Sequence, residues 1–222
     1  MTAASTPALL FDLDGTLLET DPLHAAVFKD LFAELGKEID DAFYYTDLHG
    51  WLNADIFGKH FPDRDPAALA DEKEARVRAR LDEVGAMPGL HELVERAEAE
   101  DWAMAVVTNA PRANAEAMLE AIGLTGRLGP LLIGDEQARA KPHPDPYLRA
   151  MELTGSSTAS ALAFEDSESG LRAAASAGLT AIGVRSSLDD ATLLAAGAEA
   201  TIKDFTDPAL EPFLLRLEGA RA

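Results

Sequence analysis

Short apolar runs alternate with amphipathic stretches along most of this chain. The first run, residues 9–11, is apolar at every position and predicts a buried strand. Strands that alternate with helices of about ten residues build βα units and a parallel sheet. The same pattern predicts strands at 103–107, 131–133, 162–164, 181–184 and 200–203, and helices at 89–100, 111–122, 145–154, 167–177 and from 207 onward.

A different pattern covers residues 17–86, where no clear strand is predicted. Asp21 and Pro22 predict a helix start, with the aspartate at the N-cap and the proline at N1. Residues 51–60 favour another helix. The charged run 66–84 is typical of a solvated helix with ion pairs four residues apart.

We therefore predict a doubly wound α/β core with a parallel, Rossmann-like sheet, formed by residues 1–16 and 87–222. An all-helical cap, residues 17–86, interrupts this core after its first strand. Late in the core, residues 187–190 resemble a capped helix start with Ser187 at the N-cap and an acidic residue at N3.

The composition argues against several classes of partner and of catalytic or metal site. The chain of 222 residues carries a net charge of −20, which argues against a nucleic-acid or anionic-membrane partner. It has no cysteine, which excludes disulfides, thiolate metal sites and cysteine nucleophiles. The first residues lack the pattern of a signal peptide, and no run approaches the ~20 apolar residues that span a bilayer. We expect a cytoplasmic protein, a monomer or weak homodimer.

Polar side chains follow the first predicted strand. Asp12 and Asp14 are two residues apart, so their side chains can point to the same side, and Gly15 allows a sharp turn after them. Two carboxylates held together repel each other unless a cation or a shared proton joins them. This pair is therefore a candidate functional site.

Further polar residues follow other predicted strands, at Thr108-Asn109, Lys141 and Glu165-Asp166. Because parallel strands end at one edge of a sheet, we expect these side chains to converge on the two N-terminal aspartates. A cluster of carboxylates favours a hard divalent cation, and Mg²⁺ takes few protein carboxylates together with waters and phosphate oxygens. Lysine and threonine suit the remaining phosphate oxygens.

These stretches also carry a family resemblance. DLDGT at 12–16, Thr108-Asn109, KPHPDPY from Lys141 and FEDSESG at 164–170 resemble, in order and spacing, the motifs of the haloacid dehalogenase-like phosphohydrolases. The helical insert lies where the subfamily with a cap after the first strand carries it. The FEDS-x-x-G form is similar to that of sugar-phosphate phosphatases and β-phosphoglucomutase-like proteins.

The resemblance implies a role for each motif residue. Asp12 would be the nucleophile that forms an aspartyl-phosphate, and Asp14 the general acid and then the general base. Thr108, Asn109 and Lys141 would bind the phosphoryl oxygens and offset their charge.

The resemblance also implies a magnesium site. Mg²⁺ would be held by Asp12, the backbone carbonyl of Asp14 and Asp166, with Glu165 either a ligand or a support for the ligands.

The cap residues leave alternatives open. For His24, packing and substrate contact are both open interpretations. Residues 48–55, including His49, resemble the substrate loop of the family's cap; Asn53 stands where the related mutases carry an arginine that grips a second phosphate. Lys73 is interpreted as an exposed lysine, with a match to the mutases' cap lysine as the alternative.

The sequence thus predicts a Mg²⁺-dependent phosphatase acting on a small phosphorylated metabolite, either a sugar or polyol phosphate or phosphoglycolate. The alternatives are a β-phosphoglucomutase-like phosphomutase and a non-catalytic protein that binds a phosphorylated ligand on the same scaffold.

Overall fold

The computed structural model describes residues 5–48 and 51–219. Its centre is a six-stranded, all-parallel sheet with the order β3-β2-β1-β4-β5-β6, which confirms the predicted α/β fold. The strands are β1 (Ala8–Phe11), β2 (Ala103–Thr108), β3 (Leu131–Ile133), β4 (Ala161–Glu165), β5 (Thr180–Val184) and β6 (Ala200–Ile202).

Helices connect these strands, and most of the residues between β1 and β2 are helical. They are α1 (Asp21–Glu34), α2 (Asp41–Phe43), α3 (Asn53–His60), α4 (Pro66–Arg78), α5 (Leu90–Ala99), α6 (Arg112–Ala121), α7 (Asp145–Thr154), α8 (Glu168–Ser176), α9 (Asp190–Ala196) and α10 (Glu211–Gly219). A π-helical turn, Tyr44–Leu48, follows α2 and was not predicted. No helix within the described stretches combines the length and apolar character needed to span a membrane.

The strand order reverses at β1, and in such sheets ligands bind beyond the carboxyl ends of the strands at this reversal. Phe11 pairs with Val106 on β2 and with Phe164 on β4. Continuing this register by one residue places Asp12 level with Val107 and Glu165. All residues of β1 and β4 are buried, as expected for strands covered on both faces.

The chain divides into two compact units, Met1–Glu19 with Gly85–Ala222 and Thr20–Val84. The first unit contains the whole sheet. The second is helical in every regular element that the structure describes there, and its interior is rich in aromatic rings; Phe28 and Phe57 have ring centroids 5.7 Å apart. Whether the second unit acts as a substrate cap stays a prediction.

Two predicted helix caps are wrong. The N-cap of α1 is Thr20, and Asp21 is already helical, because the backbone of Thr20 has turned into the helical region. The N-cap of α9 is Asp189 and not Ser187, because the Asp189 carboxylate accepts a hydrogen bond from the Thr192 N–H at 2.9 Å. His49 of the predicted cap loop lies outside the described residues.

Candidate active site

The ammonium group of Lys141 joins three neighbouring strands at the carboxyl edge of the sheet. Its Nζ lies 2.6 Å from Asp12 Oδ1, 2.6 Å from the Val107 carbonyl oxygen and 2.6 Å from Glu165 Oε1. These three acceptors follow from the register, which puts the corresponding residues of β2, β1 and β4 side by side. An ammonium has three N–H donors, and all three are used here.

Glu165 is fully buried at the end of β4, and beside Lys141 it has two further donors that the sequence did not suggest. The hydroxyl of Tyr147, on α7, donates to Glu165 Oε1 at 2.5 Å, while the Ser167 hydroxyl donates to Oε2 at 3.3 Å. Burial raises the pKa of Tyr147 well above its ordinary value, with the charge of Glu165 adding to the effect, so this tyrosine is a donor throughout the neutral range. Glu165 is therefore held by α7 as well as by Lys141.

Three carboxylates lie close enough to share a cation. Asp12, Glu165 and Asp166 each offer one oxygen, and these oxygens all lie within 4.8 Å of one another. A set of carboxylate oxygens fits a hard cation such as Mg²⁺. The side chain of Asp14, which is half-buried, does not belong to this group; its predicted ligand atom is the backbone carbonyl.

Charge and burial act against each other in this cluster. Burial raises the pKa of Asp12, and nearby Glu165 adds to the rise, whereas Lys141 lowers it without cancelling it. Burial by itself would lower the pKa of Lys141, but the charges of Asp12 and Glu165 outweigh it and raise the pKa. The lysine is thus charged at neutral pH, and the buried cluster is short of positive charge.

Thr108 and Asn109 lie at the end of β2, the strand next to β1. Thr108 is buried, and its Oγ1 accepts a hydrogen bond from the Ala110 N–H at 3.0 Å, which leaves the hydroxyl proton for another acceptor. The exposed Asn109 donates from Nδ2 to the Lys141 carbonyl at 3.2 Å. That bond ties the loop after β2 to the loop that carries the lysine.

Comparison with known proteins identifies the family. A family model described as haloacid dehalogenase-like hydrolase matches residues 9–184, which include all of these side chains. The chain belongs to the haloacid dehalogenase-like hydrolases. This membership confirms the family predicted from the motifs, and with it a hydrolytic enzyme.

Named relatives match most of the chain. Protein CbbY of Rhodobacter capsulatus is 35% identical over 190 residues, covering 79% of this chain and 83% of the relative. Fructose-1-phosphate phosphatase YqaB of Escherichia coli (strain K12) is 34% identical over 186 residues, covering 80% of this chain and 95% of the relative. The crystal structure of CbbY from Rhodobacter sphaeroides in complex with phosphate is 30% identical with a TM-score of 0.75, covering 90% of this chain and 95% of that one.

Two glycines of the haloacid dehalogenase-like motifs make room for the carboxylates. Gly15 has a φ of 74°, and a Cβ added to it would collide with the carboxylate of Asp166. A Cβ on Gly170, in α8, would collide with the carboxylate of Glu165. The sequence predicted a turn at Gly15 but gave no reason for the glycine at 170, because the contact is made by a side chain from the preceding strand.

The cap residues singled out by the family resemblance form a cluster of their own in the helical unit. His24 Nδ1 lies 2.5 Å from Lys73 Nζ, which also lies 2.8 Å from Glu74 Oε1. Asn53 donates from Nδ2 to the same Glu74 oxygen at 2.5 Å. Asn53 and His24, predicted as substrate-binding residues, are therefore bound to Glu74 and Lys73.

The expectation of an exposed Lys73 is wrong, since this residue is only 2% exposed. It lies four residues before Val77 on the buried face of α4, and its ammonium is 5.2 Å from the centre of the Phe28 ring. The charged appearance of α4 concealed this face, because helical spacing alone does not distinguish a buried lysine from a solvated one.

Proposed function

We propose that this protein is a Mg²⁺-dependent phosphatase that hydrolyses the phosphate monoester of a small metabolite through an aspartyl-phosphate intermediate on Asp12. The observation that carries the proposal is the contact of the Lys141 ammonium with Asp12 and Glu165, beside the three-carboxylate group that Asp166 completes. A buried acid next to fixed positive charge, at the strand-order reversal of a parallel sheet, suits attack on a phosphate dianion.

The proposed chemistry has two steps on one aspartate. A carboxylate oxygen of Asp12 attacks phosphorus, and the ester oxygen leaves with the electrons of its P–O bond while Asp14 supplies its proton. Asp14 then takes a proton from water, whose oxygen attacks phosphorus and releases inorganic phosphate and free Asp12. Donating its proton in the first step leaves Asp14 as the base that the second step needs.

Asp12, Asp166 and the backbone carbonyl of Asp14 would hold Mg²⁺. When bound, the cation would lower the pKa of Asp12 and neutralise negative charge on the phosphate oxygens. Glu165 is better suited to support Lys141 than to bind the metal, because its Oε1 already accepts two hydrogen bonds from Tyr147 and Lys141.

Thr108, Asn109 and Lys141 would bind the transferred phosphoryl group. The Ala110 N–H uses only a lone pair of Thr108 Oγ1, so the O–H of Thr108 can still donate to a phosphoryl oxygen. Lys141 would balance charge as the phosphate approaches.

The proposed substrate class is a sugar or polyol monophosphate, or phosphoglycolate. Its support is the likeness to a fructose-1-phosphate phosphatase of Escherichia coli over 80% of the chain. Residues 17–86 would be the cap that selects the ester. Asn53 is neutral and hydrogen-bonded to Glu74, which gives this position no positive charge for a second phosphate and favours a phosphatase over a phosphomutase.

Phosphate release from a panel of sugar, polyol and two-carbon phosphate esters, with Mg²⁺ and with EDTA, tests this proposal. We expect turnover of at least one monophosphate that requires Mg²⁺ and falls about 10³-fold or more in Asp12→Asn. Isomerisation of a hexose phosphate without phosphate release would replace the proposal with a phosphomutase. Turnover that persists in Asp12→Asn would contradict the role of that residue, and no turnover by the wild type would favour a non-catalytic protein.

A further inference from the structure

A serine outside the four family motifs contacts one of the three clustered carboxylates. Ser186 lies two residues beyond the end of β5, and its hydroxyl donates to Asp166 Oδ2 at 2.9 Å. Its own N–H donates to the Val184 carbonyl at 3.0 Å, so the backbone turns tightly directly after the strand. The turn fixes where the hydroxyl is presented.

The loops after three strands meet at the Asp166 carboxylate. Gly15, after β1, leaves the space that this carboxylate fills, since a Cβ there would collide with it. The same added Cβ would lie 3.1 Å from Ser186 Oγ. Asp166 is thus packed against a backbone without a side chain on one side and hydrogen-bonded to Ser186 through Oδ2.

We propose that Ser186 is a positioning residue that holds the Asp166 carboxylate in the orientation required to bind the divalent cation. The inference rests on the proposed function, in which Asp166 is a metal ligand. Fixing a carboxylate in one orientation costs conformational entropy when the cation binds, and a hydrogen bond to one of its oxygens supplies that restraint before the metal arrives. Removing partners of this kind weakens metal affinity about 10- to 100-fold in other proteins.

Metal titration without substrate tests the assignment. Binding of Mn²⁺ followed by electron paramagnetic resonance, with Mg²⁺ as competitor, gives the dissociation constants of the wild type and of variants. We expect Ser186→Ala to weaken binding of both cations about tenfold. Ser186→Thr, which keeps the hydroxyl, should restore most of the affinity. Ser187→Ala, an exposed neighbour, is the matched control and should bind as the wild type does.

Kinetics give a second readout that a general structural defect would not reproduce. In Ser186→Ala the Mg²⁺ concentration for half-maximal phosphate release should rise about tenfold, while kcat at saturating Mg²⁺ stays within about threefold of the wild type. If Ser186→Ala does not fold, Ser186→Cys takes its place. Its thiol is a weaker hydrogen-bond donor of similar size, so this variant should still bind metal more weakly than the wild type, by less than about tenfold.

The outcomes separate the two proposals. Unchanged metal affinity in Ser186→Ala, with metal bound normally by the wild type, overturns the role of Ser186 alone. Equal losses in Ser186→Ala and Ser187→Ala also overturn it, since the effect would then not depend on the hydrogen bond to Asp166. If the wild type binds no divalent cation, the proposed function fails and this inference fails with it.

Discussion

Lys141 is a buried cation, and the acceptors in contact with its ammonium offset the cost of removing that charge from water. Its three contacts, with Asp12, Glu165 and the Val107 carbonyl, match the three donors of an ammonium. Removing the lysine would leave the buried Glu165 without its cation, and breaking a buried ion pair in this way typically destabilises a protein by about 3–5 kcal/mol. These contacts therefore stabilise this edge of the sheet, in addition to the phosphate-binding role proposed for the lysine.

Asp12→Asn should stabilise the protein in the absence of metal. Burial and Glu165 raise the pKa of Asp12, so its ionised form is costly in the folded state, while asparagine keeps an oxygen to accept the bond from Lys141. We expect a gain of roughly 1 kcal/mol or more in the free energy of unfolding at pH 8, since one pKa unit corresponds to about 1.4 kcal/mol. Urea unfolding with EDTA measures it.

The pH dependence of that gain follows from its cause. The pKa of Asp12 is higher in the folded than in the unfolded state. Its contribution to the free energy of unfolding is therefore present at low pH and is lost as the pH rises from about 4 toward the raised pKa. The difference between Asp12→Asn and the wild type should therefore be near zero at about pH 4 and grow with pH. A difference that is constant from about pH 4 to about pH 8, or that has the opposite sign, would contradict the prediction.

At this scale the motifs predicted most of the cluster and missed its supports. Asp12, Lys141, Glu165 and Asp166 are brought together as expected. Tyr147 and Ser186 were not predicted to support them, because each donates to a carboxylate 18 or 20 residues away in sequence. A tyrosine on an amphipathic helix and a serine after a strand have no local pattern that indicates such a partner.

Among the elements, helix α8 shows how a glycine can be required inside a helix. Alanine is ordinarily favoured over glycine there by about 1 kcal/mol, so Gly170 is costly by propensity alone. The carboxylate of Glu165 occupies the space that a Cβ would need. The first turn of α8 and the end of β4 therefore fit together only with glycine at this position.

Gly170→Ala should destabilise the protein by about 1–3 kcal/mol and reduce phosphate release, because the added methyl displaces Glu165 from Lys141. Gly58→Ala is a matched control. Gly58 also lies inside a helix, α3, but a Cβ there would meet only Pro66 at an ordinary 3.9 Å. We expect the control to stabilise the protein by about 0.5–1 kcal/mol. Thermal unfolding measures both, and the same sign of change in the two variants would contradict the explanation.

Strands were predicted to within about one residue, whereas helix starts were less well predicted. The strands are almost fully buried, so their apolar runs are unambiguous. A cap depends on which side chain reaches a free N–H, and both Ser187 and Asp189 could have done so. The backbone of Asp189 is extended and its oxygen reaches Thr192, which decided between them.

At the scale of the whole molecule, the dominant feature is the net charge of −20. Surface ion pairs such as Arg96–Glu211 and Arg112–Glu136 are numerous, but each contributes only about 0–1 kcal/mol. The excess of acidic groups repels itself in the folded state. Salt screens both the attraction within the ion pairs and the repulsion among the excess acidic groups. At a net charge of −20 we expect the repulsion to be the larger of the two effects.

Raising NaCl from about 0.01 M to about 0.1 M, which shortens the screening length from about 30 Å to about 10 Å, should raise the unfolding temperature at pH 8. The rise should become smaller near pH 4.5, the isoelectric point, where little net charge remains to be screened. Differential scanning fluorimetry in EDTA gives both values. An unfolding temperature that falls with salt at pH 8 would show that the ion pairs outweigh the net repulsion.

The amino-acid sequence by itself determined the α/β class, the helical insert after the first strand and the residues that meet at Lys141, because these depend on local periodicity and on motifs at strand ends. Tertiary structure decided what no local pattern carries: that Lys73 is buried, that Gly170 makes room for Glu165, and that Tyr147 and Ser186 hold the carboxylates. Each of these is a contact between segments distant along the chain, and only folding places those segments side by side.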